Sequence, residues 1–197
     1  MEPRNKIVFI VGMCGSGKSI ASDELVKNGF AFLRFGQITI DKVIEDGLEI
    51  NEANEKKVRE SLRKEYGMAA YAILNLPKFD ELLSSRNVVG DGLYSWSEYK
   101  ILKEKYKENM YVIAVYAPPN LRYERLKNRI VKNDPQMRFR SVPEEAAKAR
   151  DYAEIENLEK GGPITMADFT IINTGTINEL KEKVDDILSQ ILGDQVR

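Results

Sequence analysis

The residues best suited to chemistry in this sequence lie near its N-terminus, where glycines are interleaved with a lysine and two serines. The spacing G-x-x-x-x-G-K-S/T is filled by Gly12, Met13, Cys14, Gly15, Ser16, Gly17, Lys18 and Ser19. Such glycines let the backbone curl until several N–H groups point into one concavity, where an anion binds. Lys18 supplies a cation for the outer phosphates, and Ser19 offers a hydroxyl to Mg²⁺. This segment, called the P-loop below, therefore predicts a site for ATP or a similar triphosphate with its metal.

The P-loop lies in the context that this pattern requires. The apolar run Ile7 to Val11 precedes it and has the length of a buried strand, and a helical pattern follows from Lys18 to Asn28. A helix that begins at the loop directs the positive end of its dipole at bound phosphates. This context favours nucleotide binding over a glycine-rich turn that precedes Lys-Ser by chance.

Short β-branched runs alternate with helical patterns along the rest of the chain. We expect strands at 7–11, 31–34, 87–91, 110–116 and 169–173, and helices at about 18–28, 95–108, 120–129, 143–159 and 177–192. This alternation is typical of α/β proteins with a parallel sheet. With 197 residues and 43% apolar composition, the chain is predicted to form one domain with small insertions.

Two segments depart from this alternation, and such excursions often carry substrate sites. The first, about 36–84, contains about three helical pieces that are separated near Gly47 and Gly67. The second, about 130–142, is polar, basic and interrupted by Pro135. We therefore expect a substrate to be contacted from these two segments.

Charge and composition argue against several classes of protein. The formal net charge is −1, with charges of both signs mixed along the sequence, so no basic field of the kind that binds duplex nucleic acid is expected. No signal-peptide core is visible, and no apolar run is long enough to cross a bilayer. The sole cysteine, Cys14, has no partner for an internal disulfide. We expect a cytoplasmic monomer or weak homo-oligomer that acts on a small molecule, without nucleic acid or membrane partners.

Asp91 lies at the end of the third predicted strand. The carboxyl ends of parallel strands border the ligand crevice of an open α/β sheet, so this carboxylate is expected to face the P-loop. There it would hold Mg²⁺ through water or orient the hydroxyl of a phosphoryl acceptor. The alternative is that Asp91 is a turn or N-cap residue. Because the chain has no histidine, any proton acceptor must be a carboxylate, a lysine or the phosphate itself.

Several motifs, taken in their order along the chain, resemble those of nucleoside monophosphate kinases of the P-loop superfamily. They are the P-loop, the pair Asp91-Gly92, the spacing of Arg125 and Arg129, and the basic segment before Pro143. The C-terminal sequence ADFTIINTGTINELKEKV more closely resembles dephospho-CoA kinase and related adenylate-kinase-like proteins. The resemblance implies a three-layer P-loop NTPase fold with a five-stranded parallel sheet, a helical acceptor-binding insertion at about 36–84 and a short lid at about 130–142.

The same resemblance implies roles for individual residues. Arginines that match the family pattern would neutralise the charge that develops on the transferred phosphoryl group. They are Arg125 and Arg129 at a helix end, Arg138 and Arg140 in the lid, and Arg150 on the following helix. The alternative for the lid pair is a solvated basic loop, and for Arg125 and Arg150 it is a surface ion pair. The loop of Asn173 and Gly175 would pass beside the adenine, or it is an ordinary strand-to-helix turn.

The acceptor residues depart from the patterns of these families. The residues after Asp91-Gly92 are Leu93, Tyr94, Ser95 and Trp96, without the arginine usual in adenylate kinases, and Gln37 follows Gly36 where an acidic residue is common. Asp41 or Asp91 would then supply the missing acid. Basic residues in or beside the insertion would contact an acceptor phosphate or lie on a solvated face; they are Arg34, Lys42, Arg59 and Arg63. Tyr94 and Trp96 either stack on a base or pack against the insertion.

Three functions are consistent with these residues. The first is an ATP-dependent small-molecule kinase similar to dephospho-CoA kinase, with a nucleoside monophosphate kinase as its alternative. Its acceptor would be dephospho-CoA or a nucleoside monophosphate. The second is a P-loop NTPase or switch that acts on a protein partner, and the third is a sensor that binds an adenine nucleotide without hydrolysing it. The expected ligands are ATP and Mg²⁺, with the metal held by Ser19 and Asp91.

Overall fold

The structure, a computed structural model, describes residues 5–129 and 141–193. The strands in these ranges are β1 (Ile7–Val11), β2 (Ala31–Arg34), β3 (Val88–Asp91), β4 (Met110–Tyr116) and β5 (Phe169–Ile172). The helices are α1 (Lys18–Lys27), α2 (Gln37–Glu45), α3 (Glu52–Tyr66), α4 (Ala70–Leu83), α5 (Trp96–Tyr106), α6 (Pro119–Lys127), α7 (Glu144–Leu158), α8 (Gly161–Thr165) and α9 (Ile177–Leu192). Within the described ranges, none of these helices is long and apolar enough to span a membrane.

The described strands form one parallel sheet in the order β2-β3-β1-β4-β5. The central strand β1 pairs with both β3 and β4, and each of its residues is at most 1% exposed. Continuous apolar strands of this kind are typical of parallel sheets that helices cover on both faces. The register places Ile10 opposite Asp91, so the carboxyl end of β3 lies beside the strand that leads into the P-loop.

Side chains at alternate positions of β1 enter two separate cores, one on each face of the sheet. Phe9 packs on the face covered by α4 and α5, in a core that includes the fully buried Phe79. Ile10 packs on the opposite face with α1 and α9, against a core that contains Leu25 and Val184. Burial on both faces holds rigid the strand end from which the P-loop departs.

The approach of β3 to an aromatic cluster depends on Gly90. A Cβ added to Gly90 would lie 2.4 Å from Cε1 of Phe9. The ring of Phe9 makes edge contacts with Phe35 and Phe79, at centroid distances of 5.8 and 5.5 Å. All three rings are fully buried, so none can move aside into solvent. Glycine at position 90 therefore allows β3 to pair with β1 without a clash against the ring of Phe9, one residue before Asp91.

The predicted architecture is confirmed. All five strands lie at the predicted places, and the sheet is parallel throughout. The three helical pieces predicted between the second and third strands are α2, α3 and α4, and Gly47 and Gly67 lie in the connections between them. The role of these helices in binding an acceptor stays a prediction.

The observed helix ends differ from the predicted boundaries by up to two residues, and a local cause is visible at the ends of α5 and α7. The predicted helix 95–108 ends at Tyr106, because Lys107 adopts a positive φ of 49° and begins a 3-10 turn. After α7, Glu159 also turns left-handed, with a φ of 52°, and the chain enters the short helix α8 instead of leaving helical structure. The sequence analysis did not predict α8, which begins with Gly161 and Gly162.

Most of the predicted lid, residues 130–140, lies outside the described residues. Arg138 and Arg140 belong to this part, so their roles stay predictions. Val142, at the other end of the lid, donates its N–H to the carbonyl of Leu126 at 3.3 Å. This contact attaches the start of α7 to the end of α6.

Candidate functional site

The P-loop connects the end of β1 to the start of α1, and its glycines are required both by conformation and by packing. Gly12 has a φ of 141°, and a Cβ there would lie 2.3 Å from the carbonyl oxygen of Val115 on β4. Gly17 has a φ of 111°, and its Cβ would lie 2.4 Å from Nδ2 of Asn173. Side chains rarely adopt such φ values, so this course of the backbone is available to glycine alone.

Lys18 is the first residue of α1, and its side chain folds back over the P-loop. Its Nζ donates a hydrogen bond to the carbonyl of Met13 at 3.0 Å. Burial lowers the pKa of Lys18, while the charges of Cys14, Asp91 and Glu154 oppose that change. An ammonium held in a desolvated loop gains from the approach of an anion, which is the property that a phosphate-binding lysine needs.

The P-loop residues fit a nucleotide with its metal. Ser16 is 1% exposed, and its Oγ has no hydrogen-bond partner among the described residues, so a buried polar atom in the loop is left for a ligand. Ser19 occupies the first turn of α1, and Asp91 ends the neighbouring β3. A hydroxyl and a carboxylate together with phosphate oxygens form the oxygen ligand set that Mg²⁺ prefers.

The loop after β5 braces the P-loop. Nδ2 of Asn173 donates to the carbonyl of Ser16 at 2.8 Å, and Nη1 of Arg125 donates to the carbonyl of Asn173 at 3.1 Å. Gly175 lies against Glu179, which forms a capping box with Thr176 at the start of α9. The structure thus brings Arg125, Asn173 and the P-loop together; their roles toward a nucleotide stay predictions.

A buried arginine that the sequence analysis did not single out supports the loop from the other side. Nη1 of Arg122 donates to the carbonyl of Cys14 at 3.0 Å, and its Nη2 lies 2.7 Å from Oδ2 of Asp151. The same carboxylate oxygen accepts a hydrogen bond from the hydroxyl of Tyr123 at 2.9 Å. No local motif marks Arg122, since its partners are far away in the sequence.

A second charged cluster lies at the end of α7 and beside Lys18. The carboxylate of Glu154 accepts a bond from Nε of Arg150 at 2.9 Å, and its other oxygen accepts one from Nζ of Lys160. Lys160 is 2% exposed and Glu154 is 6% exposed. Burial alone would raise the pKa of Glu154, but the charges of Lys160 and Arg150 outweigh it and lower that pKa to about 2. We call Arg150, Glu154 and Lys160 the α7 cluster.

Tyr94 joins the α7 cluster to the end of β3. The ammonium of Lys160 lies 4.4 Å from the centroid of the Tyr94 ring, within the range of a cation–π contact. Burial raises the pKa of Tyr94 well above its usual value, and the charge of Asp91 adds to the effect. One face of this ring is therefore occupied by Lys160 instead of a base. Trp96, the other aromatic of this segment, stacks on Tyr99 at 5.0 Å.

Ser95 and Gln37 lie where the sequence differs from the acceptor-site patterns of the similar kinase families, and both make local contacts. The Oγ of Ser95 accepts the N–H of Glu98 in a capping box at the start of α5 and donates to the carbonyl of Met68. Nε2 of Gln37 donates to Asp41 at 2.8 Å. Ser95 therefore fixes the position of α5 and joins it to the insertion.

The basic residues of the insertion are engaged on the protein itself. Arg59 pairs with Glu52 and Glu55, and Lys42 pairs with two carboxylates of its own helix end. The guanidinium of Arg63 lies 5.5 Å from the ring centroid of Tyr71. Whether any of them contacts an acceptor stays a prediction, as does the role of Arg129 at the end of α6.

The sheet order and the P-loop after its central strand define the fold of the P-loop kinase superfamily. TT1252 from Thermus thermophilus has this fold, with a TM-score of 0.63 and 17% identity over 94% of this chain and 97% of its own. Shikimate kinase from Acinetobacter baumannii matches with a TM-score of 0.53 and 21% identity, over 99% of this chain and 97% of its own. At these identities the similarity shows the fold alone.

The sequence relatives define the family. The AAA domain model matches residues 8–164. A UPF0200 protein of Thermococcus kodakarensis is 37% identical over 191 residues, which cover 94% of this chain and 100% of the relative. A UPF0200 protein of Thermococcus gammatolerans is 37% identical over 188 residues, with 94% and 95% covered. The chain belongs to the UPF0200 family and carries an AAA domain.

Proposed function

We propose that this protein is an ATP-dependent kinase that transfers the γ-phosphoryl group of Mg·ATP to a hydroxyl group of a small molecule. The observation that carries the proposal is the placement of Lys18 at the end of the P-loop and of Asp91 at the carboxyl end of the neighbouring strand β3, with the α7 cluster packed through Lys160 on the ring of Tyr94. There an anion-binding loop, a carboxylate and several cations lie together. Phosphoryl transfer requires such positioning and charge neutralisation, and little covalent chemistry from the protein.

The residues have distinct roles in this reaction. The N–H groups of the P-loop and the ammonium of Lys18 bind the β- and γ-phosphates. Ser19 would hold Mg²⁺, and Asp91 would either hold it through water or orient the acceptor hydroxyl; when bound, the metal would withdraw charge from the phosphate oxygens. The acceptor oxygen forms a bond to the γ-phosphorus while the bond to the β–γ bridging oxygen breaks, so ADP leaves. The proton of the acceptor hydroxyl passes to Asp91 or to the phosphoryl group itself.

Arginines neutralise the charge that spreads over the oxygens of the transferred group. The described arginines assigned to this role are Arg125 on α6, Arg129 just after the end of α6 and Arg150 on α7, and Arg138 and Arg140 in the lid join them. Arg125 is already fixed on the loop of Asn173, so it contacts the nucleotide from the side of β5. Arg150 belongs to the α7 cluster and acts from the opposite side of the P-loop.

For the acceptor, we propose dephospho-CoA first and a nucleoside monophosphate second. The C-terminal sequence similar to dephospho-CoA kinase supports the first, and the missing arginine after Asp91-Gly92 weighs against an adenylate-type acceptor site. The insertion α2–α4 supplies the wall of the acceptor site. Asp91 is the carboxylate placed for the acceptor hydroxyl, because it ends the strand beside the P-loop.

A P-loop NTPase or switch that acts on a protein partner is the second candidate function. It is favoured by the packing of the residues after Asp91: the ring of Trp96 stacks on Tyr99, and Ser95 caps α5. These side chains are engaged in the fold, where an acceptor-binding residue would otherwise be expected.

Transfer of label from γ-labelled ATP, assayed with separate acceptors, tests the proposal. The acceptors are dephospho-CoA, the nucleoside monophosphates, shikimate and gluconate, and the controls are Lys18→Ala and the exposed-lysine variant Lys148→Ala. We expect one acceptor to be labelled by the wild-type protein and by Lys148→Ala, and none by Lys18→Ala. ATP hydrolysis without transfer to any acceptor would instead support the NTPase.

A further inference from the structure

We propose that Lys160 is a catalytic residue whose ammonium, held by Glu154 on the face of Tyr94, binds the transferred phosphoryl group together with Lys18. The inference rests on the proposed nucleotide site and adds to it a second lysine that the P-loop motif does not contain. Glu154 is the positioning residue of this arrangement, since it contacts the two cations, Arg150 and Lys160, and acts through them.

The backbone directs Lys160 inward. At the end of α7, Glu159 adopts the left-handed conformation with a φ of 52°, and the N–H of Lys160 then donates to the carbonyl of Glu154 at 3.2 Å. The reversal places the side chain of Lys160 under the helix end, where it is 2% exposed. A non-glycine residue in this conformation costs about 1 kcal/mol, and such strain is concentrated at functional sites. A lysine with a solvent-exposed side chain would not require this left-handed residue before it.

The contacts of Lys160 define where its charge lies. Its Nζ bonds to Glu154 and lies 4.4 Å from the ring centroid of Tyr94, which follows Asp91 by three residues. The pKa of Lys160 is lowered to about 8. Burial is the largest cause, and the charge of Lys18 is the second. Lys160 is thus coupled to the charge of Lys18 and, through the ring of Tyr94, contacts the segment that follows β3 and Asp91; Lys18 and Asp91 flank the γ-phosphate in the proposed reaction.

Among the described residues of this region, the cations outnumber the carboxylates that act on them. Lys18, Arg150 and Lys160 are cations, and the carboxylates that act on them are Glu154 and Asp91. Two ammonium groups that repel each other in a desolvated place are stabilised by an anion that bridges them. The γ-phosphoryl group, bound by Lys18 as part of the P-loop, is the anion that reaches both.

A purely structural ion pair is the alternative, and the two roles differ in what they change. A structural pair affects the free energy of unfolding but treats ATP and ADP alike. A lysine that touches the γ-phosphoryl group discriminates between the two nucleotides, because only ATP carries that group. The ratio of the affinities for ATP and ADP is therefore independent of any change in the free energy of unfolding.

The test uses calorimetry on the full chain to measure the binding of two ligands. One is a non-hydrolysable ATP analogue with Mg²⁺, and the other is ADP with Mg²⁺. Lys160→Met removes the charge but keeps much of the side-chain volume, and Lys148→Met is the matched control on the exposed face of α7. Because Lys160→Met leaves Glu154 buried with Arg150 alone, the double variant Glu154→Gln/Lys160→Met is measured as well. Removing a buried pair together is often neutral for stability.

We expect Lys160→Met and the double variant to bind the ATP analogue at least about tenfold more weakly, with ADP affinity changed by less than about twofold. In the labelled-acceptor assay, kcat falls in the same variants. Equal losses for both nucleotides, or an unchanged ratio in the folded double variant, would overturn the role of Lys160 and leave the kinase proposal intact. A wild-type protein that binds neither nucleotide would overturn both.

Discussion

The Nη1 of Arg122 donates a hydrogen bond to the backbone carbonyl of Cys14 at 3.0 Å, so a buried side chain of α6 holds the middle of the P-loop. The same guanidinium lies 2.7 Å from Asp151 on α7, and its Nε donates to the carbonyl of Ala117. Arg122 and Asp151 are each 4% exposed. The conformation of the P-loop is therefore coupled to α7 through a desolvated ion pair.

Replacing this arginine is expected to destabilise the protein strongly. In Arg122→Leu the carboxylate of Asp151 stays buried without its cation, and the free energy of unfolding should fall by about 3–5 kcal/mol. Urea unfolding followed by circular dichroism measures the change. ATP affinity should fall as well, since the carbonyl of Cys14 loses its donor and the loop is free to rearrange.

The double variant Arg122→Leu/Asp151→Asn separates the two effects. The neutral amide still accepts the hydroxyl of Tyr123, so much of the lost stability should return, while nucleotide affinity stays low. A single variant as stable as the wild-type protein would contradict the burial of the Arg122–Asp151 ion pair.

Gly90→Ala tests the packing that sets the position of β3. The added Cβ would lie 2.4 Å from the fully buried ring of Phe9, so we expect a loss of about 1–3 kcal/mol in the free energy of unfolding. Gly161→Ala is the control, because nothing lies within 4 Å of a Cβ at that position. Chemical denaturation of the three proteins should leave Gly161→Ala within about 1 kcal/mol of the wild type. Equal stability of both variants would contradict the close contact.

The fold was predictable because its determinants are local. Most residues of each strand are apolar or β-branched, and in β1 the run Ile7–Val11 is apolar at every position, since both faces of that strand are buried. Gly47 and Gly67 adopt positive φ values between the helices of the insertion, which is why they marked the breaks correctly. The predicted end of the helix at residue 108 was wrong because lysine rarely adopts a positive φ, so the sequence gives no sign of the break at Lys107.

The site was predictable only in part, for a physical reason. The P-loop is contiguous, so its spacing alone reveals it. Glu154 and Lys160 are six residues apart, which is no helical repeat, and they meet only because Glu159 reverses the chain. Arg122 and Asp151 lie on separate helices and pair through tertiary packing. Groups of this kind depend on the fold, and a single sequence contains no spacing rule for them.

Glu159→Gly is expected to stabilise the protein. Residue 159 has a φ of 52°, which glycine adopts without the steric cost that glutamate bears, so the free energy of unfolding should rise by about 0.5–1 kcal/mol. The matched control Glu156→Gly places glycine inside α7 and should lower it by about 1 kcal/mol. Thermal and urea unfolding of both variants check the opposite signs. Destabilisation of similar size in both would mean that Glu159 is held by contacts that outweigh its backbone strain.

Stability is also expected to depend on pH through Glu98. This carboxylate is 1% exposed and accepts the N–H groups of Tyr94 and Ser95. Burial raises its pKa from 4.5 to about 7, against the opposing effect of those hydrogen bonds. Between these values the folded protein binds a proton that the unfolded chain has released, so the stabilising contribution of Glu98 is complete below about pH 4.5 and lost as the pH rises through 7.

The measurement is the free energy of unfolding in urea between pH 5 and 8, a range in which no histidine titrates because the chain has none. In the wild-type protein, Glu98 should lower stability across this range by up to about 3 kcal/mol. Glu98→Gln keeps an acceptor oxygen for the capping box but cannot ionise, so the difference between the two proteins should change with pH by that amount. A difference that is constant from pH 5 to 8 would show that Glu98 is ionised throughout, stabilised by the N–H groups of Tyr94 and Ser95 more strongly than burial opposes it.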